Sequence, residues 1–97
     1  MRKLTIVVKP FKADPVVRAL LDAGATNLTL AEARGYGRQK GHLDLYRDEG
    51  ARVTFLPKVR IECAVEDGGA EAAIEAAINA ARTGRIGDGK IFLEGLR

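Results

Sequence analysis

The chain has 97 residues, 46% hydrophobic and 30% charged, a balance typical of one globular domain spanning residues 1–97. No apolar run approaches the roughly 20 residues that cross a bilayer, and residues 1–10 lack a secretory signal, so we expect a cytoplasmic protein without membrane insertion. One histidine, one cysteine and scattered basic residues with a net charge of +3 disfavour an imidazole-rich metal site, a disulfide framework and a nucleic-acid partner.

A strand and a helix open the chain. β-Branched and apolar residues over 2–9 predict the strand. Apolar residues then recur at helical spacing from 16 to 21. Asp14 is the expected N-cap, Pro15 the first helical residue and Gly24 the stop, so we predict an amphipathic helix.

Two further strands are predicted on either side of a long polar excursion. The second strand runs from Leu28 to about Gly35. Glycines and polar residues then dominate through Gly50. The third strand is predicted over residues 58–65, where Cys63 lies in an apolar run typical of a core.

A second helix and a final strand complete the chain. Residues 70–81 are alanine-rich, and Ile74 and Ile78 are one helical turn apart, which predicts the helix. A glycine-punctuated loop over 83–89 leads to a strand over 90–93. The order predicts an α+β, ferredoxin-like βαββαβ sandwich, whose bare apolar sheet face would favour symmetric self-association.

The first of two glycine-rich loops is a candidate anion site. Residues 35–42 (GYGRQKGH) alternate glycines with Arg38, Gln39 and Lys40, so backbone N–H groups and cations can lie side by side. The glycine spacing matches neither a P-loop nor a dinucleotide-binding fingerprint. A plain flexible hairpin is therefore an equal alternative.

The second loop, residues 82–90 (RTGRIGDGK), combines three glycines with three cations and would suit a polyphosphate. Its alternative is a helix C-cap in which Gly84 is left-handed and Arg82 neutralises the last carbonyls. Asp88 either orients a basic side chain or ends the turn. Lys58, after Pro57, either meets a ligand carboxylate or is exposed to solvent.

Four blocks of this sequence resemble the nitrogen-regulatory PII family. They are residues 9–12 (KPFK), 35–42 (GYGRQKGH), 55–58 (FLPK) and 81–92 (ARTGRIGDGKIF). The resemblance implies a homotrimer that binds ATP or ADP between subunits and, with Mg²⁺ and ATP, binds 2-oxoglutarate. It also implies a long T-loop between strands 2 and 3 that contacts a target protein, such as an ammonium transporter or a metabolic enzyme.

The resemblance further implies which residues bind these ligands. The nucleotide-binding residues would be Thr29, Gly35, Gly37, Arg38, Gln39, Lys40, Glu62, Arg82, Gly87, Asp88, Gly89 and Lys90. Gln39, Lys58 and Gly87 would bind 2-oxoglutarate, and the Gln39 side-chain oxygen would hold Mg²⁺. The expected function is signal transduction that regulates nitrogen metabolism, without catalysis.

Two positions depart from the family pattern. Ala51 stands where many bacterial members carry a tyrosine that is uridylylated, and Tyr46 is not that position, so we expect no such modification. The sequence ends at Arg97, where family members usually continue with arginines that reach a neighbour's ATP phosphates. An alternative is a specialised PII-like sensor that responds to ADP, AMP or bicarbonate and serves another transporter or pathway.

Two other classes of function fit the sequence less well. A slow nucleotide hydrolase needs a general base, and no histidine or carboxylate pair is suitably placed to act as one. A ferredoxin-like RNA-binding module needs aromatic residues on adjacent strands, whereas most of the aromatic residues here lie in predicted loops. The sensor interpretation is therefore the leading hypothesis.

Overall fold

The computed structural model describes residues 1–37, 54–84 and 88–95. The described residues form β1 (Arg2–Val8), α1 (Ala13–Asp22), β2 (Thr26–Gly37), β3 (Thr54–Val65), α2 (Ala70–Ala81) and β4 (Gly89–Gly95). This order confirms the predicted α+β, ferredoxin-like βαββαβ fold. Among the described residues, no helix has the length and hydrophobicity needed to cross a membrane.

The four strands form one antiparallel sheet in the order β2-β3-β1-β4. In β1, the alternate residues Leu4, Ile6 and Val8 are at most 1% exposed and belong to the core. Because side chains alternate across a strand, the residues between them point to the opposite face, which we call the open face. Each residue of β3 or β4 lies on the same face as the β1 residue with which it pairs.

The core lies between the sheet and the two helices. Val16 and Leu20 of α1 are fully buried, as are Ala73 and Ala77 of α2. Alanine side chains allow α2 to approach the sheet closely. Burial of each large apolar side chain stabilises the fold by about 1.5–3 kcal/mol relative to leaving it exposed. Cys63 is buried in this core as predicted, and burial raises the pKa of its thiol.

Helix α1 begins earlier than predicted. The chain enters a 3₁₀ turn at Pro10–Lys12, in which the Lys12 N–H donates to the Lys9 carbonyl at 2.9 Å. The backbone is thus already helical at Ala13, and Asp14 lies in the first turn instead of capping it. Its charge still faces the positive end of the helix dipole. The predicted stop at Gly24 is confirmed by a φ of 93°.

Strand β3 also begins earlier than predicted, with Pro57 inside it. The last pair between β1 and β3 is Val8 with Val59. At Pro57, β3 therefore has a neighbouring strand only on the β2 side, and proline is tolerated where one side of a strand is unpaired. Strand β4 begins one residue earlier than predicted, at Gly89, and reaches Gly95.

The open face is less apolar than expected from the sequence. Lys3 Nζ lies 2.7 Å from Glu62 Oε2 on this face. Thr5 pairs with Glu62 on one side and with Phe92 on the other, and Phe92 is 52% exposed. An apolar side chain thus stands beside an ion pair, so any partner must match charge as well as shape.

Candidate functional site

Thr29 and Glu62 occupy one cross-strand row on the open face, directly opposite each other on β2 and β3. The ion pair with Lys3 lowers the pKa of Glu62 and raises that of Lys3. Arg60 Nε, at 3.9 Å, is a more distant cation. Glu62 is therefore a carboxylate at neutral pH and can accept hydrogen bonds.

Lys9, Lys58 and Asp88 meet at one end of the open face. Lys9 directly follows Val8, the last paired residue of β1. It therefore lies between β3 and β4, one residue beyond the paired part of the strand. Its Nζ lies 3.3 Å from Asp88 Oδ1. Partial burial lowers the pKa of Lys58, Lys9 lowers it further, and Asp88 partly offsets both effects.

The Asp88 carboxylate organises the loop between α2 and β4. Oδ2 accepts hydrogen bonds from the N–H groups of Thr83 at 2.8 Å and Gly84 at 3.0 Å, and Oδ1 accepts one from the Thr83 hydroxyl. The Thr83 hydroxyl and N–H bonds are the main reasons that the pKa of Asp88 is far below its usual range. Asp88 thus plays both roles considered from the sequence: it holds the turn and it orients Lys9.

The C-cap hypothesis for this loop is half right. Gly84 is left-handed, with φ at 81°. However, α2 ends at Ala81, and the cap is Arg82, whose N–H donates to the Ile78 carbonyl at 3.0 Å. Gly84 serves the turn around Asp88, two residues beyond that cap. The Arg82 side chain is exposed at the helix end.

Gly89 is required by close approach of two strands. It pairs with Val8, and a Cβ at this position would overlap with the Val7 carbonyl oxygen. Lys90 pairs with Val7 and so belongs to the open face. Glycine here lets β4 begin directly beside the Asp88 turn and brings Lys90 next to it.

Two cavities flank this end of the sheet. The first has a volume of about 320 Å³ and combines apolar walls from Ile6, Val8 and Ile78 with the loop. The second has a volume of about 460 Å³ and is lined by Arg34 and Lys58, among others. Each cavity thus has a cationic residue of the sheet or loop in its lining.

The structure brings together only part of the predicted site. Lys58, Asp88, Gly89 and Lys90 lie at one end of the sheet, and Arg82 lies at the start of the same loop. Thr29 and Glu62 are on the same face as Lys58. Their row is four residues of β3 away from it, which is roughly 13 Å along the strands. Gly35 and Gly37, which were predicted to bind the nucleotide, pair with Leu56 and Thr54 at the C-terminal end of β2, just beyond the Ala33–Lys58 pair.

Several predictions fall outside the described residues. They concern Arg38, Gln39, Lys40, Gly87, the T-loop, Tyr46 and Ala51. The predicted Mg²⁺ ligand is among them. Within residues 1–37, 54–84 and 88–95, no group of three His, Cys, Asp or Glu side chains is arranged to hold a metal ion.

Two residues of the candidate site are not predicted from the sequence. The sequence indicates Lys9 only as part of a block and Thr83 only as a loop residue. Lys9 follows a strand and Thr83 precedes a glycine, so their positions signal a strand end and a turn. Their bonds to Asp88 depend on β1 lying next to β4, which local spacing does not indicate.

Comparison with known proteins agrees with this fold. The family model described as nitrogen regulatory protein P-II matches residues 1–96. The chain is 55% identical over 93 residues to a nitrogen regulatory protein P-II of Rhizobium meliloti, covering 96% of this chain and 83% of that protein. For the Mesorhizobium japonicum protein of the same name, identity is 53% over 96 residues, covering 99% and 86%. For that of Pasteurella multocida, identity is 50% over 93 residues, covering 96% and 83%. The chain therefore belongs to the nitrogen regulatory protein P-II family.

Proposed function

We propose that the protein is a signal-transduction regulator that binds ATP or ADP at the Asp88 end of the open face and controls nitrogen metabolism through a target protein. The observation that carries the proposal is that the Asp88 turn lies at the same end of the sheet as Lys58 of β3 and Lys90 of β4. Binding and release of nucleotide would be the signal, and no bond need be broken.

Charge compensation around Asp88 supports phosphate binding. A carboxylate in a phosphate site repels the ligand unless its charge is already compensated. Here Lys9 and three hydrogen bonds from Thr83 and Gly84 compensate it. Arg82 and Lys90, two further cations of this region, would then attract the phosphates, as charge-assisted bonds to phosphate are among the strongest.

The pairing of Thr29 with Glu62 supports an adenine position further along the same face. A carboxylate and a hydroxyl can both accept a hydrogen bond from an exocyclic amine. That row lies roughly 13 Å along the strands from Asp88, so the adenine and the phosphates would occupy separate parts of one face. Gly35, Gly37, Arg38, Gln39, Lys40 and Gly87 would complete the site.

Lys58 supports the binding of 2-oxoglutarate as an effector. It is half-buried beside a cavity of about 460 Å³, and a cation in such a place gains more from a ligand carboxylate than one in bulk water. Gln39 and Gly87 would contact the same ligand. Mg²⁺, held by the Gln39 side-chain oxygen and the nucleotide phosphates, would link effector binding to ATP.

Both edges of the sheet support a homotrimer. β2 and β4 are the edge strands, and edge strands offer unpaired N–H and C=O groups to a second copy. The half-exposed Phe92 and the Lys3–Glu62 ion pair on the open face would add apolar and polar contacts. The nucleotide would then lie between copies, and the T-loop would contact an ammonium transporter or a metabolic enzyme in the cytoplasm.

The test is calorimetric titration with ATP, ADP and AMP, each repeated with Mg²⁺ and 2-oxoglutarate and then with bicarbonate. We expect binding of ATP and ADP, and of 2-oxoglutarate only when Mg²⁺ and ATP are present. Lys90→Ala should weaken binding at least about tenfold, whereas Arg18→Ala, the same charge change on the exposed side of α1, should not. Binding of AMP with a bicarbonate response and none to 2-oxoglutarate would favour the specialised sensor, and the absence of any nucleotide binding would refute the proposal.

A further inference from the structure

Strand β4 forms one edge of the sheet. It pairs with β1 without interruption from Gly89 to Gly95, and among the described residues no strand lies on its other side. The backbone N–H and C=O groups on that side can therefore pair with another strand. The sequence of β4, GKIFLEG, determines which strand fits there.

The sequence of β4 is complementary to itself when two copies run antiparallel. In the register that sets Phe92 opposite Phe92 of the second copy, each Ile91 faces a Leu93. Each Lys90 faces a Glu94 in the same register. Directly opposite residues lie on the same face of an antiparallel pair, so these side chains meet. The glycines at the two ends of the strand also face each other and add no side chain.

Glu94 already faces a lysine within its own chain. Lys3 pairs with Glu94 across β1 and β4. The pKa of Lys3 is raised mainly by Glu62, at 2.7 Å, and further by the negative charge of Glu94. In the joined sheet, Glu94 would lie between Lys3 on one side and Lys90 of the second copy on the other. The new contact would thus continue a row of alternating charges.

Phe92 supplies an apolar centre for this contact. Its side chain is 52% exposed on the open face. A second Phe92 ring would cover the exposed ring, and aromatic rings attract each other beyond the area that they bury. On the opposite face of the strand, Ile91 and Leu93 pack against the core. Strand β4 is therefore held in place for pairing.

The other edge strand, β2, is less regular. Its register with β3 shifts between Thr26 and Thr29, and Asn27 within this shift has a φ of 54°. Bulges of this kind twist an edge away from a neighbouring strand and protect it from pairing. The described pairing of β4 contains no such shift. Of the two edges, β4 is therefore the better surface for a second copy.

We propose that two copies of the chain associate through antiparallel pairing of their β4 strands, with Phe92 at the two-fold axis and Lys90 of each copy paired with Glu94 of the other. The two sheets become one continuous sheet. This contact is isologous, whereas the contacts of a three-fold ring are heterologous. It therefore goes beyond the proposed homotrimer, because it joins copies from different trimers. It leaves β2 and the open face for the three-fold contacts.

The test is an exchange of charge, read by analytical ultracentrifugation of the full chain without nucleotide. Wild type should form species with an even number of chains. Lys90→Glu and Glu94→Lys each set like charges opposite each other, so each variant alone should associate at β4 at least about tenfold more weakly. An equimolar mixture of the two variants restores opposite charges and should recover the even-numbered species. Odd-numbered species alone in wild type, undiminished association of either variant, or no recovery in the mixture would overturn the proposal.

A cysteine cross-link tests the register directly. In Phe92→Cys, the two introduced side chains would be directly opposite, with Cβ atoms about 4.5–5.5 Å apart, so mild oxidation should join them. Glu94→Cys is the matched control on the same face, where the two positions would be roughly 13 Å apart. The native Cys63 is buried. Equal cross-linking of the two variants would overturn this register. Both experiments measure association without nucleotide, so their failure is distinguishable from a failure of nucleotide binding.

Discussion

The Asp88 carboxylate binds Thr83, five residues earlier in the chain, through both the Thr83 hydroxyl and its backbone N–H. A side-chain oxygen thus closes the loop that joins α2 to β4. The same carboxylate pairs with Lys9 at the end of β1, so one residue connects the loop to the centre of the sheet. This arrangement sets the position of Lys90 relative to Arg82.

Asp88→Asn should loosen this loop without unfolding the protein. The amide retains the shape of the carboxylate but loses the charge that binds Lys9, and only one of its two terminal atoms can accept hydrogen bonds. Hydrogen exchange should become faster at the Thr83 and Gly84 amides. Asp22→Asn, at the end of α1, is the matched control. Unchanged exchange at both amides would show that the carboxylate does not hold the turn.

The same carboxylate predicts a pH dependence of stability. Its pKa is lowered on folding, so its contribution is fully present above the usual value of 3.8 and is lost as the pH falls towards the folded-state pKa. The difference in urea midpoint between wild type and Asp88→Asn should therefore be constant above about pH 5 and shrink below 3.8. A difference that stays constant throughout acid titration would contradict this assignment.

Two glycines at opposite ends of β4 form a matched pair for substitution. A Cβ at Gly89 would overlap with the Val7 carbonyl oxygen, whereas a Cβ at Gly95 would meet nothing within 4 Å. Gly89→Ala should therefore lower the free energy of unfolding by about 1–3 kcal/mol, and Gly95→Ala should change it by less than about 0.5 kcal/mol. Urea denaturation measures both. Equal losses would mean that β4 can shift away from β1 at little cost.

Adjacent leucines in α1 provide a test of the core. Leu20 is fully buried, and Leu21 is 55% exposed. Leu20→Ala should cost about 2–5 kcal/mol, because it removes buried methyl groups and leaves a cavity. Leu21→Ala should cost much less. Thermal or urea denaturation that gives similar losses for both would contradict the packing of α1 described above.

The fold could be predicted from the sequence because each element has a local signal. Gly24, for example, ends α1 in the left-handed conformation that glycine adopts most readily. The start of α1 could not be predicted from a capping residue. The 3₁₀ turn at Pro10–Lys12 leads directly into the helix, so no N-cap side chain marks where it begins. The start of β3 was missed because Pro57 is tolerated only where β1 has ended.

The site was predictable only in part. Glycine and cation patterns, together with the resemblance to a family, predict Lys58, Asp88 and Lys90 as candidate site residues. The ion pair between Lys9 and Asp88 joins residues at opposite ends of the sequence and depends on β1 lying beside β4. No local pattern contains that information, since it follows from the strand order of the whole sheet.

We propose that a nucleotide binds where the Asp88 turn meets the open face. The most direct measurement is an amide NMR titration of the full chain with ATP and Mg²⁺, repeated with Lys90→Ala. We predict saturable shifts at Thr83, Gly84 and Gly89, smaller shifts in the middle of α1, and a weaker response in the variant. Shifts absent from the Asp88 turn, or equal throughout the protein, would contradict the claim.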